Sequence, residues 1–140
     1  MQLNIQDDYF HLTDPEIIAT QFSGDSNSDF LIVIPQDCAN MELIQKILSA
    51  INISDISDIQ VLELRESDSI SIFPFLKRRN IQKMISFGIP SKRLGIHVEH
   101  QLYQPLKFQE KDLIFTADII ALKDQSNHKK LLWSALKTWI

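Results

Sequence analysis

The sequence predicts an α/β domain built on a mostly parallel sheet, and three features lead to this prediction. Residues 30–34 are apolar without alternation, which is typical of a strand buried on both faces. Residues 40–51 place five apolar side chains on one face of a helix. Strand-like and helical segments then alternate along the chain, a pattern that indicates helices layered on a sheet.

The remaining elements are predicted from local patterns. Asp14 followed by Pro15 predicts the start of a short helix that runs to Phe22, because Asp caps helices and Pro is tolerated at the first helical position. Pro74 argues against a central strand in residues 67–79, which are predicted to form a loop with a short helical turn. Further strands are predicted over residues 59–64, 81–87, 100–107 and 113–116, with a turn or short helix at 90–95 and a final helix from Ser126.

The length and the distribution of polar residues predict a single domain with an N-terminal extension. A chain of 140 residues is the size of one domain. Residues 1–29 are polar and acidic, and they are predicted to bind a partner or to be partly disordered, whereas residues 30–140 form the domain. Tyr9 and Phe10 have little reason to be buried in such a segment, so they are candidate anchors for a protein partner.

The composition indicates the expected cellular compartment and argues against one class of partner. The N-terminus has no basic region followed by an apolar one, and the longest apolar run, residues 30–35, is too short to span a membrane. Cys38 is the only cysteine, so no internal disulfide can form, and a cytoplasmic protein with no membrane association is expected. The net charge of -4 argues against strong direct binding of nucleic-acid phosphates.

The ends of the predicted strands carry a candidate ligand pocket. Ligands of open α/β sheets bind beyond the carboxyl ends of the strands. The alternative is that these junctions are ordinary loops, with Asp37 capping the following helix and Cys38 an inert, buried thiol. The predicted pocket residues are Asp37, Cys38, Gly88, Ser91, Lys92 and Asp118.

No metal, nucleotide or other cofactor is expected from the sequence. His97 and His100 lie where a loop enters a predicted strand, and residues three apart in a strand point to opposite faces. The three glycines form neither a dinucleotide fingerprint nor a phosphate-binding loop.

The two tryptophans are predicted to face opposite sides of the final helix. They lie six positions apart, which is a rotation of roughly 240° at 100° per residue. Trp133 is assigned to the core stripe with Leu132 and Leu136, so Trp139 is expected to be partly exposed. Trp139 is therefore a candidate partner contact, with a frayed chain end as the alternative.

Three strand-to-loop junctions resemble the motifs of the uracil-DNA glycosylase superfamily. They are residues 32–37, 84–92 and 113–118, in the same order as the family's motifs. The resemblance implies a three-layer α/β/α sandwich around a central, mostly parallel sheet. It does not imply the chemistry, because Pro35 replaces the motif glycine and Asp118 stands where the family has its histidine. Asp37 is the one residue of the expected catalytic set that is present.

The chain from residue 81 onwards also resembles the psi subunit of the bacterial DNA polymerase III holoenzyme. The matching features are the Phe87-Gly88 turn, the segment 92–95 and the closing helix at 130–137 with its Leu132-Trp133 pair. Residues 3–12 look like the family's N-terminal segment, which reaches the clamp loader, although they lack its basic character. The resemblance implies a catalytically inactive adaptor that links the clamp loader to a chi-like subunit, which touches single-strand-binding protein.

Two other functions remain open from the sequence. A divergent glycosylase-like DNA repair enzyme would use Asp37 and would release bases from uracil-containing DNA. A small-ligand or nucleotide-binding domain would use the predicted strand-end pocket.

Overall fold

The computed structural model describes residues 12–38 and 40–139. Its strands form one six-stranded sheet in the order β1-β3-β2-β4-β6-β5. The strands are β1 (Phe22–Gly24), β2 (Phe30–Pro35), β3 (Gln60–Leu64), β4 (Lys83–Phe87), β5 (Leu106–Phe108) and β6 (Lys111–Thr116). The helices are α1 (Pro15–Ala19), α2 (Met41–Ala50), α3 (Phe73–Arg78), α4 (Ile119–Asp124) and α5 (Ser126–Lys137), with 3-10 turns at Ile56–Asp58 and Ser91–Leu94.

The centre of the sheet is parallel, as the uninterrupted apolar run in β2 predicts. β2 pairs in parallel with both β3 and β4, so that Val33 lies opposite Leu62 on one side and Ser86 on the other. β4 pairs in parallel with β6, and only the two short edge strands, β1 and β5, are antiparallel. The first five residues of β2 are buried, which confirms the prediction of a central strand covered on both faces.

Helices cover both faces of the sheet, so the molecule has three layers. Alternate side chains of β2 enter two separate cores, with Leu31 and Val33 on one side and Ile32 and Ile34 on the other. The first core, here called the α1–α3 core, receives Ile18 from α1 and Leu76 from α3. The second, the α2–α5 core, receives its helical residues from α2, α4 and α5: Ile44, Leu48, Leu122, Leu132, Ala135 and Leu136.

The N-terminal part of the described chain belongs to this packed unit. The predicted helix forms after Asp14, whose carboxylate accepts a hydrogen bond from the Glu16 amide at 2.8 Å, but it ends at Ala19. The next residues form β1, an unpredicted strand that pairs with β3. Ile18 is fully buried. The packed unit therefore begins upstream of residue 30, where the sequence placed its boundary.

The predicted strand over residues 100–107 is wrong, because only Leu106–Phe108 is a strand. Tyr103 adopts a φ of 64°, which turns the chain and cannot continue an extended run. Its amide donates to the Phe115 carbonyl at 2.8 Å, so the loop is fastened across the end of β6. Helix α4, which follows β6, is also absent from the sequence-based prediction.

The assignment of Trp133 to the core is wrong as well. The inward stripe of α5 runs through Leu132, Ala135 and Leu136, and Trp139 continues it seven residues after Leu132. Trp139 is half-buried and packs edge-on against Phe30, with ring centroids 5.9 Å apart. Trp133 is one position further around the helix than Leu132, and 39% of it is exposed.

Candidate functional site

The carboxyl edge of the sheet contains a topological switch point between β2 and β4. The chain leaves β2 to form β3 on one side and returns to form β4 on the other. In doubly wound sheets this is the position at which ligands bind. Asp37 lies here in an exposed turn with a φ of 62°, and Cys38 is half-buried against the α2–α5 core.

The ends of β4 and β6 meet at the same edge. Gly88 has a φ of 75°, and a Cβ added to it would lie 2.9 Å from the Asp118 Cα, so only glycine fits here without displacing the backbone. The Asp118 carboxylate accepts a hydrogen bond from the Ala121 amide at 2.9 Å and caps α4. Two predicted site residues are therefore brought together, and one of them already has a structural partner.

Ser91 and Lys92 belong to the other side of the sheet. They lie in the 3-10 turn after β4, which leads into Leu94 in the α1–α3 core, whereas Cys38 packs against the opposite core. Ser91 is half-buried and its carbonyl accepts from the Ile96 amide at 3.0 Å, while Lys92 is exposed. The six predicted pocket residues thus share an edge but are distributed over both faces.

A buried carboxylate that was not predicted from the sequence lies after β3. Asp68 is 1% exposed and accepts hydrogen bonds from the Arg65 guanidinium at 2.8 Å and the Arg65 amide at 2.8 Å. Further hydrogen bonds come from Gln21 at 3.0 Å and Thr13 at 3.1 Å. Burial alone would raise the pKa of the Asp68 carboxyl, but these hydrogen bonds outweigh it and hold the pKa well below its usual range. A carboxylate with this many hydrogen bonds stabilises the fold and is not suited to donate a proton.

A cavity lies at the opposite, amino edge of the sheet. Its volume is about 520 Å³, and Trp139 and Phe30 line it together with Asp29, Asp58 and Lys83. The pocket predicted from the sequence lies at the carboxyl edge, so this cavity was not predicted. Phe30 begins β2 and Trp139 lies two residues after the end of α5, and no local sequence pattern connects these two regions.

A second concave surface, the α2–α5 groove, lies between those two helices and has a volume of about 180 Å³. Each helix contributes four residues with the spacing i, i+3, i+4, i+7, which marks one helical face. Trp133 lies on its wall, and the Lys137 ammonium is 5.7 Å from the centroid of the Trp133 ring. The lining residues are Leu43, Lys46, Ile47 and Ala50 of α2, Lys129, Leu132, Trp133 and Leu136 of α5, and Leu122 of α4.

A signal for this groove was present in the sequence. Leu43 and Ile47 flank the fully buried Ile44 and Leu48, so the apolar stripe of α2 is wider than its contact with the sheet requires. An apolar stripe that extends beyond the core indicates a surface that another element can cover.

The remaining residues considered in the sequence analysis are the N-terminal aromatic pair and the two neighbouring histidines. Tyr9 and Phe10 lie outside the described residues. His97 is exposed, and the His100 ring packs 4.7 Å from that of Phe115, centroid to centroid. Among residues 12–38 and 40–139, no three potential metal-ligating side chains come together, and no helix there is long and apolar enough to cross a membrane.

Comparison of the chain with protein-family models, curated proteins and solved structures found no match.

Proposed function

We propose that this protein is a catalytically inactive, cytoplasmic adaptor of the psi type that links the clamp loader of a replicative polymerase to a chi-like subunit. The observation that carries the proposal is the α2–α5 groove, which is lined mainly by apolar side chains and has the partly exposed Trp133 on its wall. Exposed aromatic residues beside apolar grooves are favoured at protein interfaces. The psi resemblance ends in the same helix, so the segment that suggests the family also forms the surface.

The glycosylase-like fold is part of this proposal. The three motif-like junctions follow β2, β4 and β6, which are parallel strands of one sheet, so all three lie at one edge. Asp118 is engaged in capping α4, and the Gly88 backbone lies against it. These contacts favour a structural role for the β6 junction, where a glycosylase would need a free catalytic side chain.

The adaptor has two predicted contacts that can be separated by mutation. Tyr9 and Phe10 are proposed to contact the clamp loader, and Trp133 to contact the chi-like subunit. Trp139, the partner contact predicted from the sequence, follows α5 and packs against Phe30, so it is less suited to a contact than Trp133.

A tagged pull-down of the full chain from its native cell lysate, read by mass spectrometry, tests both contacts. The wild type should recover clamp-loader subunits, a chi-like subunit and, through it, single-strand-binding protein. Tyr9→Ala with Phe10→Ala should lose the clamp loader alone, and Trp133→Ala the chi-like subunit alone. Leu131→Ala is the matched control, because Leu131 is 50% exposed on the same helix and does not line the groove. Recovery of none of these proteins by the wild type would refute the proposal.

A second candidate function is the binding of a small ligand in the amino-edge cavity. The cavity volume of about 520 Å³ is suited to a metabolite, and its wall combines Trp139 with the charged groups Asp29 and Lys83. A ligand at 100 times its dissociation constant stabilises the folded state by about 2.7 kcal/mol. A thermal-shift screen of nucleotides and metabolites that raises the wild-type midpoint but not that of Lys83→Ala would favour this function over the adaptor.

A further inference from the structure

The α2–α5 groove has the geometry of an unfilled position for a third helix. Both of its walls are helical faces with the spacing i, i+3, i+4, i+7, so each presents about two turns to the gap. Side-chain ridges of this kind accept the ridge of another helix between them. From Leu43 to Ala50 the wall is roughly 10 Å long at 1.5 Å per residue, which matches about two turns of a partner helix.

The charged side chains of the groove all carry the same sign. Lys46 and Lys129 line it, and Lys137 lies over the Trp133 ring on its wall. The salt bridges found within the described residues are Arg65–Asp68 and Lys107–Asp112, so none of these three lysines has an acidic partner there. The groove is locally basic on a protein whose net charge is -4.

We infer that the α2–α5 groove binds an acidic, amphipathic α-helix of a protein partner. The inference rests on the proposed protein-binding function and names the chemistry of the element that is bound. Leucine-like side chains of the partner fill the space between Ile47, Leu132 and Trp133, and its flanking carboxylates pair with the lysines of the rim.

The charges also discriminate against two other occupants. A second copy of this chain placed groove to groove about a two-fold axis would bring Lys46 and Lys129 close to the same two lysines of the other copy, and these like charges would repel. A nucleic acid would match the positive charge, but the lining is otherwise apolar, whereas phosphate binding depends on clustered cations and polar donors.

A charge-swap titration of the full chain with a designed probe tests the inference. The probe is a capped helical peptide of roughly 14 residues, about four turns, with Leu at the spacing i, i+3, i+4, i+7 and Glu on its flanks. Its counterpart has Lys in place of each Glu. Binding is followed by the fluorescence of Trp133 in a Trp139→Phe background, which retains an aromatic ring beside Phe30.

The acidic peptide is expected to bind roughly tenfold more tightly than the basic one, because several exposed ion pairs together supply about that factor. Lys46→Glu with Lys129→Glu should reverse the preference, whereas Lys92→Glu, on another exposed surface, should leave it unchanged. Circular dichroism checks that each variant is folded.

Equal affinity for the two peptides, no saturation by either at millimolar concentration, or an unchanged preference in the double variant would overturn the inference. So would concentration-dependent dimerisation in sedimentation velocity that Trp133→Ala abolishes, because a second copy would then occupy the groove. The peptide titration needs no replication protein. Its failure is therefore distinct from the failure of the pull-down described above.

Discussion

Asp68 joins three separated parts of the chain through one buried carboxylate. Thr13 precedes α1, Gln21 precedes β1 and Arg65 follows β3, and all three donate to it. Arg93 adds a second layer by donating to the backbone carbonyls of Arg65 and Asp68 at 2.7 and 3.1 Å. This network fastens the first described residues to the carboxyl edge of the sheet.

Asp68→Asn is expected to lower the free energy of unfolding by about 2–3 kcal/mol at neutral pH, because hydrogen bonds to a charged group contribute at that level. Glu66→Gln is the matched control, since Glu66 is exposed two residues away and should change stability by less than about 0.5 kcal/mol. Urea unfolding measures both variants.

The pH dependence of the Asp68 effect follows from the direction of its pKa shift. The folded pKa lies below the unfolded value of about 4, so ionised Asp68 stabilises the fold above about pH 4. The contribution is lost progressively as the pH falls from there towards the folded pKa. The difference between wild type and Asp68→Asn should therefore shrink in unfolding measurements below pH 4. A difference that stays constant would contradict the role of the carboxylate charge.

Tyr103 makes a comparable connection beside β6, three strands away from β3 in the sheet. Its hydroxyl accepts a hydrogen bond from the Ala117 amide at 3.2 Å and lies 2.8 Å from the His128 Nδ1, so it links the end of β6 to α5. Burial raises the pKa of the Tyr103 hydroxyl, and the nearby Asp118 charge adds to this effect. The neutral phenol therefore stabilises the fold below about pH 10, and this contribution is lost as the pH rises through the folded pKa.

Tyr103→Phe is expected to cost about 1–2 kcal/mol, because it leaves the Ala117 amide without its hydrogen-bond partner. A double-mutant cycle with His128→Ala tests the contact between the two side chains. The combined cost should be smaller than the sum of the single costs. Full additivity in thermal or urea unfolding would show that His128 and Tyr103 do not interact.

At the scale of elements, long periodic patterns predicted the structure and short ones did not. The observed bounds of four elements lie within two residues of the predicted ones: β2, β3, β4 and α2. Each has a run of apolar residues whose spacing indicates one type of element. β1 has three residues and exists through its pairing with β3, which no local pattern reveals. The predicted strand over 100–107 failed because Tyr103 turns the chain to reach Phe115, a contact set by tertiary structure.

The wrong assignment of Trp133 to the core has the same origin. Leu132 and Leu136 fix the buried stripe, and both Trp133 and Trp139 are adjacent to it on a helical projection. The Phe30 ring at the start of β2 decides which of the two is packed, and its position depends on the sheet. The wide apolar stripe of α2 indicated one wall of the groove, but the second wall could not be predicted because α2 and α5 are far apart in sequence.

The two tryptophans should therefore differ in their contribution to stability. Trp139→Ala is expected to cost about 2–3 kcal/mol, somewhat less than a fully buried aromatic, because it removes the contact with Phe30. Trp133→Ala should cost less than about 1 kcal/mol, since its ring is partly exposed on the wall of the groove. Urea unfolding of both variants checks the order, and a larger loss for Trp133 would contradict the assignment of the stripe.

At the scale of the whole molecule, the α2–α5 groove and the first described residues lie on different faces of the sheet. The α2–α5 groove is formed by helices on one face. Thr13, near the start of the described chain, is hydrogen-bonded to Ser69 and Asp68 on the side of the α1–α3 core. An adaptor needs two contact regions that do not obstruct each other. The first described residues lie on the side of the sheet away from the groove, which fits this requirement.

Sedimentation velocity of the purified chain with the clamp loader and the chi-like subunit of the same cell tests the linking role most directly. The chi-like subunit is predicted to sediment with the clamp loader only when the chain is present, and Trp133→Ala should abolish this while Leu131→Ala preserves it. A chi-like subunit that sediments alone in the presence of the wild-type chain, or that joins the clamp loader without it, would contradict the proposed function.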